Sequence, residues 1–166
     1  FANAACVAGI HPDELAGKIV SPLEALENLQ QLEEKFYQFT KGYKAPACRI
    51  TNFLKHKNRD EKLESSYPLG IISAPLWELL PTNVVQSMKA GLADFIRKMR
   101  GFETGNLIGL ESKTSAPIQV VRESNGRCEG FENLYIIGEG SGYAGGIISS
   151  AADGVKAAMN LISIKS

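Results

Sequence analysis

The interpretation of the whole chain depends on one stretch, Asn133-Leu-Tyr-Ile-Ile-Gly-Glu-Gly-Ser-Gly-Tyr-Ala-Gly-Gly-Ile-Ile-Ser-Ser-Ala-Ala-Asp-Gly-Val-Lys-Ala-Ala-Met-Asn-Leu-Ile162. It predicts a short buried strand from Leu134 to Ile137, a turn dense in glycine, and then a helix. Apolar residues recur along that helix with the period of one buried face, at positions 148, 151, 152, 155, 159 and 162.

The turn holds five glycines, at positions 138, 140, 142, 145 and 146. Glycine lets a backbone bend sharply and approach another group closely, because no Cβ intrudes. A helix that begins at such a turn offers unpaired N–H groups and a partial positive charge. The pattern therefore predicts a binding site for negative or electron-rich oxygens. A tight packing turn between strand and helix is the alternative.

Gly140 to Gly145 also match the dinucleotide fingerprint G-x-G-x-x-G. That fingerprint needs a second strand after the helix, with an acidic residue at its end for the ribose hydroxyls. Only the residues from Ile147 to Ser166 follow, and the helix uses nearly all of them. We therefore interpret the stretch as the last strand and last helix of a domain.

Composition narrows the class of protein. A hydrophobic content of 44% and a charged content of 22% in 166 residues are ordinary for a soluble globular protein of one large or two small domains. The 18 basic and 18 acidic residues cancel, so neither nucleic acid nor an anionic membrane is an expected partner. Three distant cysteines without a CxxC pair indicate no disulfide framework and no metal site, and they favour a cytoplasmic location.

The first half of the chain predicts mainly helices. Residues 4–10 read as a strand or core segment that ends in a turn at residues 11–13, and the abrupt start at Phe1 suggests a fragment. Ser21 and Glu24 form a capping box for a helix that reaches about Thr40. An extended segment turning into a short helix is expected over residues 45–54, a short helical piece over 74–80, and a second long helix over 82–100.

The hydrophobic period changes to two after Gly105. Short strands are expected from Leu107 to Leu110 and from Ile118 to Val121, and the pair Asn125-Gly126 predicts a hairpin turn.

Three blocks of residues together resemble the C-terminal half of the uncharacterised bacterial FAD-dependent dehydrogenases. They are Tyr43-Lys-Ala-Pro-Ala-Cys-Arg49 with Phe53-Leu54, then Ser66-Tyr67 through Leu80-Pro81 to Gly101-Phe102, and then Gly109-Leu-Glu-Ser-Lys-Thr-Ser-Ala-Pro117 with Arg122, leading into Gly138-Glu-Gly-Ser-Gly-Tyr-Ala-Gly-Gly-Ile147. The last block is the most specific.

The resemblance implies an α+β C-terminal fragment of a two-domain FAD/NAD(P)-binding flavoprotein. Residues 1–20 would end an interrupted segment, residues 21–110 would form an α-rich substrate or cap region, and residues 111–166 would complete the FAD-binding domain. The missing N-terminal half would hold the ADP part of FAD. We therefore expect FAD in the full-length parent and not in this fragment, which would be inactive alone.

The resemblance also implies roles for residues of the last block. The N–H groups at Gly145, Gly146 and Ile147 would face the flavin edge that gains negative charge on reduction, and Glu139 would accept hydrogen bonds from ribityl or ribose hydroxyls. The remaining candidate cofactor contacts are Gly138, Gly140, Tyr143, Ser115 and Arg122. No catalytic residue is assigned.

The expected partners are a small-molecule substrate, NAD(P)H, the missing N-terminal half and, through apolar surface left exposed, a second copy of the fragment. Two other functions remain open. One is a non-enzymatic nucleotide- or phosphate-binding module, and the other is a helical interaction domain.

Overall fold

The computed structural model describes residues 1–57, 59 and 61–164, so Asn58, Asp60, Lys165 and Ser166 lie outside the described residues. The chain divides into two compact units. Unit 1 comprises residues 1–20 and 27–112, and unit 2 comprises residues 21–26 and 113–166.

Unit 1 is built on a mixed sheet of three short strands in the order β2-β1-β3. Strand β1 (Ala45–Arg49) pairs in parallel with β2 (Ile71–Ser73) and antiparallel with β3 (Asn106–Ile108). Being central, β1 is buried along most of its length and passes directly into helix α3 (Ile50–Lys55). The extended segment and short helix predicted for residues 45–54 are confirmed, and so is a strand near Leu107.

The other helices of this part of the chain are α1 (Pro12–Ala16), α2 (Pro22–Thr40), α4 (Leu76–Leu79) and α5 (Thr82–Lys98). Residues 21–26, which include the first residues of α2, belong to unit 2. The core of unit 1 is formed by side chains from α2, α3, α4, α5 and the strand region, namely Phe36, Cys48, Ile50, Phe53, Ala74, Leu76, Leu79, Val85 and Leu92. The α+β class is confirmed.

The helix starts and ends follow from local chemistry. Glu24 N–H donates to Ser21 Oγ at 3.3 Å, and Ser21 N–H donates to Glu24 Oε2 at 2.8 Å, so the predicted capping box forms. Lys35 Nζ donates to the carbonyl oxygens of Glu78 and Leu79 at 2.9 and 2.8 Å, which satisfies the end of α4. The helices predicted to reach about Thr40, over residues 74–80 and over residues 82–100 are confirmed.

The prediction for the N-terminal segment was wrong about the strand. Residues 4–10 form no strand and are mostly exposed, because no sheet edge pairs with them. The turn predicted at residues 11–13 is the start of α1, where His11 is exposed. Its ring nitrogen accepts a hydrogen bond from Asp13 N–H at 3.3 Å and caps α1.

Burial of the cysteines leads to a testable prediction. Cys48 and Cys128 are buried whereas Cys6 is partly exposed, and desolvation raises the pKa of the Cys48 thiol to about 11. Burial also raises the pKa of the Cys6 thiol. Because the thiolate is the reactive form, we expect a disulfide reagent at pH 8 to label the more accessible Cys6 first and Cys48 only after denaturation. Mass spectrometry of timed digests measures this, and fast native labelling of Cys48 would contradict the described burial.

Unit 2 has less regular structure than the sequence predicts. The segments 118–121 and 134–137 form no strands, and their region contains isolated bridges from Arg122 to Cys128 and from Arg127 to Tyr135. A strand requires a ladder of hydrogen bonds with a neighbour, and these bridges are too short to make one. The hairpin turn at Asn125-Gly126 is confirmed, since Glu123 N–H donates to Arg127 O at 2.8 Å across it.

Helix α6 (Ile147–Ile164) follows the glycine turn, as predicted, but its buried face was predicted wrongly. The large apolar side chains of the predicted face are exposed. Ile148 is 82% exposed, and Val155, Met159 and Ile162 are exposed as well. The opposite face, with Asp153, Gly154 and buried Ala157, packs on unit 2. The spacing of apolar residues predicts the helix, but it does not determine which face of the helix packs against the rest of the chain.

Within the described part of the chain, no helix combines the length and apolar character needed to cross a membrane. The same residues contain no group of three or more histidine, cysteine, aspartate or glutamate side chains arranged to hold a metal ion.

Candidate functional site

The glycine turn between Gly138 and Ile147 is held from within by a buried serine. Residues Glu139–Ser141 form one turn of 3-10 helix, and Ser141 is fully buried. Its hydroxyl donates to Gly138 O at 2.6 Å, and its carbonyl accepts a hydrogen bond from Val120 N–H at 3.0 Å. The first half of the turn is therefore pinned to the segment that precedes the hairpin.

Gly142 closes that 3-10 turn with a φ of +81°. A Cβ built on it would lie 2.9 Å from Cα of Gln119 and closer still to the carbonyl oxygen of Ile118. Both the left-handed backbone and the close approach of another main chain require glycine at this position.

An ion pair fastens the turn to α6. The guanidinium of Arg122 donates to both carboxylate oxygens of Asp153, at 2.9 Å each, and also to Ile136 O at 2.9 Å. Gly138 N–H donates to Asp153 Oδ2 at 2.8 Å. The side chains of Arg122 and Asp153 are only 7% and 19% exposed, so the pair is largely desolvated.

These contacts shift both pKa values in the direction that keeps the pair charged. The hydrogen bond from Arg122, followed by that from Gly138 N–H, lowers the pKa of Asp153. The hydrogen bond to Asp153 raises the pKa of Arg122, against the opposing effect of burial. The doubly charged pair therefore persists across the neutral range.

Arg122 has a further neighbour. Its guanidinium carbon lies 4.1 Å from the centre of the Tyr143 ring, a cation–π contact that orients a half-exposed tyrosine. With its donors directed at Asp153 and Ile136, Arg122 is placed to position the turn. Tyr143 keeps one half of its surface open to solvent.

The second half of the turn is open. Gly145, Gly146 and Ile147 are exposed, and a Cβ built on Gly140 or Gly145 would meet nothing within 4 Å. At Gly146 the nearest such atom is the hydroxyl of Ser149, at 3.7 Å, which also accepts a hydrogen bond from Gly146 N–H at 3.1 Å. The start of α6 thus offers backbone N–H groups at an accessible surface.

The other candidate contacts of the sequence analysis, Glu139 and Ser115, are also exposed. Gly138 and Glu139 lie in the turn beside the open glycines, whereas no contact of Ser115 with the turn is present among the described residues.

Asp153 and Ser141 were missed by the sequence analysis. A carboxylate on the small-residue side of an apolar helix was the available signal for Asp153, because a buried charge needs a partner. The two basic residues shortly before the turn are Arg122 and Arg127, and the sequence does not say which of them pairs with Asp153. Ser141 carried no such signal, since serine in a glycine-rich turn is common.

The open half of the turn has two features that bear on what it could bind. A Cβ at Gly145 would meet nothing within 4 Å, and Gly145 and Ile147 are exposed at the start of the helix, whereas Gly146 N–H already donates to Ser149 Oγ. Donors and a helix N-terminus match an edge that carries electron-rich oxygens.

Comparison with known proteins supplies the family. Residues 1–114, which are more than half of the chain and include unit 1, match the family described as FAD-dependent protein, C-terminal domain-like. The glycine turn and α6 lie beyond the matched residues.

A relative from Clostridium beijerinckii, named only as an uncharacterized protein, is 36% identical over 166 aligned residues. The alignment covers 97% of this chain, and so includes both units, but only 31% of the relative. This chain thus spans about a third of the length of the curated relative that it matches. On the strength of the family match over residues 1–114, the chain belongs to the FAD-dependent proteins with this C-terminal domain.

Proposed function

We propose that this chain is the C-terminal part of an FAD-dependent oxidoreductase, contributing the substrate region and the helix start that faces the flavin. The observation that carries the proposal is the open, amide-lined start of α6 in a chain of this family. Hydride would pass between a small-molecule substrate and bound FAD, and NAD(P)H is a further proposed partner as a hydride donor to the oxidised flavin.

The chain's own contribution is electrostatic. The N–H groups of Gly145 and Ile147 lie at the start of an 18-residue helix, near its partial positive charge, whereas Gly146 N–H donates to Ser149 Oγ. They would bind the flavin edge and stabilise negative charge there by roughly 0.3–2 kcal/mol. Glu139, as an acceptor, would receive hydroxyl hydrogen bonds, and Tyr143 and Ser115 would lie at the edge of the ring or substrate.

The exposed apolar face of α6 supports a protein partner. Ile148, Val155 and Met159 form a continuous surface stripe, which a folded protein normally covers. The relative is about three times as long as this chain, and we assign the stripe to the preceding FAD-binding half of such a parent. Pairing of two copies through the stripe is the competing outcome, which sedimentation of the 166-residue chain measures.

The test uses the full-length parent with Gly145→Ala. A Cβ at Gly145 would meet nothing within 4 Å, so the fold is expected to tolerate the methyl group. A flavin ring edge that lies against this backbone would be displaced by the same methyl group. We expect FAD affinity, measured by flavin fluorescence on reconstitution, to fall at least about tenfold, or 1.4 kcal/mol. Gly91→Ala, at a helical glycine with equally open space, is the matched control.

Unchanged affinity in Gly145→Ala, or a parent that binds no FAD, would contradict the proposal. Titration of the 166-residue chain with ADP distinguishes the alternative of a nucleotide-binding module. Micromolar binding by this chain alone would favour the module, because the flavin proposal assigns the ADP part to the other half of the parent.

A further inference from the structure

A largely buried carboxylate lies close to the turn that we propose faces the flavin. Asp153 is 19% exposed, and its Oδ2 accepts a hydrogen bond from Gly138 N–H at 2.8 Å. It follows Ile147, the first residue of α6, by six residues, which is about 9 Å along the helix axis. At this distance a negative charge opposes a ligand that gains negative charge at the start of α6.

Arg122 places the opposite charge at the same point. Its guanidinium donates to both carboxylate oxygens of Asp153 at 2.9 Å and to Ile136 O at 2.9 Å, and its guanidinium carbon lies 4.1 Å from the centre of the Tyr143 ring. The side chain is 7% exposed. Since these contacts enclose it, Arg122 would act on a ligand in the open half of the turn through its charge.

The pair leaves the helix dipole as the dominant fixed charge at the open half of the turn. Arg122 and Asp153 together carry no net charge, so their effects on a group several ångströms away largely cancel. The partial positive charge at the start of α6 then remains. Glu139 is the one formally charged residue between Gly138 and Ile147, and it is exposed, so solvent screens its carboxylate.

We infer that Arg122 is the counter-charge that lets Asp153 hold Gly138 N–H without opposing the reduction of a flavin at the start of α6. A carboxylate is a stronger acceptor for an N–H group than a neutral oxygen, and Arg122 cancels the unfavourable field that the carboxylate alone would create. The inference rests on the proposed function, because that function assigns the flavin to this turn. It gives the pair an effect on the reduction potential of FAD that is separate from its effect on stability.

The experiment measures the two-electron reduction potential of FAD bound to the full-length parent, by titration with dithionite in the presence of a reference dye. Arg122→Gln leaves the negative charge of Asp153 and should lower the potential, whereas Asp153→Asn leaves the positive charge of Arg122 and should raise it. We expect the ratio of affinities for reduced and oxidised FAD to change about three- to tenfold in each direction, which is roughly 15–30 mV for a two-electron couple.

The opposite signs separate an effect of charge from an effect of structure. Both substitutions break the same ion pair and loosen the same turn, so a purely structural role would move the potential in one direction in both variants, or in neither. Asparagine has nearly the shape of aspartate, so Asp153→Asn decides the sign by itself if Arg122→Gln fails to fold.

Two controls test the role of net charge. Arg122→Gln combined with Asp153→Asn removes both charges and should return the potential close to that of the wild type. Glu123→Gln removes the exposed carboxylate next to Arg122 in the chain and should leave the potential unchanged, because solvent screens that group. Shifts of the same sign in the two single variants, or no shift while FAD stays bound, would overturn the inference and leave the proposed function standing. A wild-type parent that binds no FAD would overturn both.

Discussion

Replacing Gly142 with alanine is expected to destabilise unit 2 by about 2–5 kcal/mol, the sum of left-handed backbone strain and a main-chain clash. The clash involves Cα of Gln119 and the carbonyl oxygen of Ile118, neither of which is the flexible end of a side chain. Relief would need the hydrogen bond from Val120 N–H to Ser141 O to open. Hydrogen exchange of the Val120 amide and urea unfolding followed by circular dichroism measure the effect.

Gly140→Ala is the matched control for Gly142→Ala. It lies two residues away in the same turn, has no positive φ, and its added methyl group would meet nothing within 4 Å. We expect its free energy of unfolding to stay within about 0.5 kcal/mol of the wild type. Equal destabilisation by the two substitutions would show that the close approach of the Ile118 segment is not what requires glycine.

Replacing Asp153 with asparagine is expected to cost about 2–4 kcal/mol. The change leaves the guanidinium of Arg122 largely buried without its counter-charge. Because Asp153 is one-fifth exposed, the loss of stability should be smaller than for a fully buried pair. It also weakens the acceptor for Gly138 N–H. Urea unfolding gives the magnitude, and faster exchange of the Gly138 amide places the effect at the turn.

The control for Asp153→Asn is Glu123→Gln, which breaks the exposed pair between Glu123 and Arg127. Solvent screens that pair, so we expect no measurable loss of stability. A loss as large as that in Asp153→Asn would mean that burial is not the source of the difference.

The Arg122–Asp153 pair also predicts a pH dependence. The pKa of Asp153 is lower in the folded than in the unfolded protein, so the unfolded state takes up protons first as the pH falls. The stabilisation that Asp153 contributes is complete above the pKa of this carboxyl in the unfolded chain, about 4. It is lost as the pH falls through the lower pKa that the carboxyl has in the folded protein. The stability gap between wild type and Asp153→Asn should therefore be constant above about pH 5 and shrink below about pH 4.

A stability gap that stays unchanged down to the lowest pH at which the protein folds would contradict this assignment. Asp94 serves as an internal comparison, since hydrogen bonding to Lys98 lowers its pKa at a position that is more exposed than that of Asp153. Asp94→Asn is expected to alter the pH profile much less.

The sequence alone determined the features that depend on neighbours in the chain. The capping box at Ser21 and Glu24, the bounds of the long helices, and the turn at Asn125-Gly126 all arise from contacts spanning a few residues, and the structure confirms them. The glycine-rich start of α6 was recognisable for the same reason.

Only the tertiary structure decided what those elements contact. The pairing of Arg122 with Asp153, the approach of Ile118 to Gly142, and the exposure of the apolar face of α6 depend on residues about 20–30 positions apart. The absence of strands at 118–121 and 134–137 within the described residues has the same origin, since a strand needs a partner that local sequence does not specify. Local hydrogen bonds and hydrophobic period are properties of a segment, whereas burial and charge pairing are properties of the packed chain.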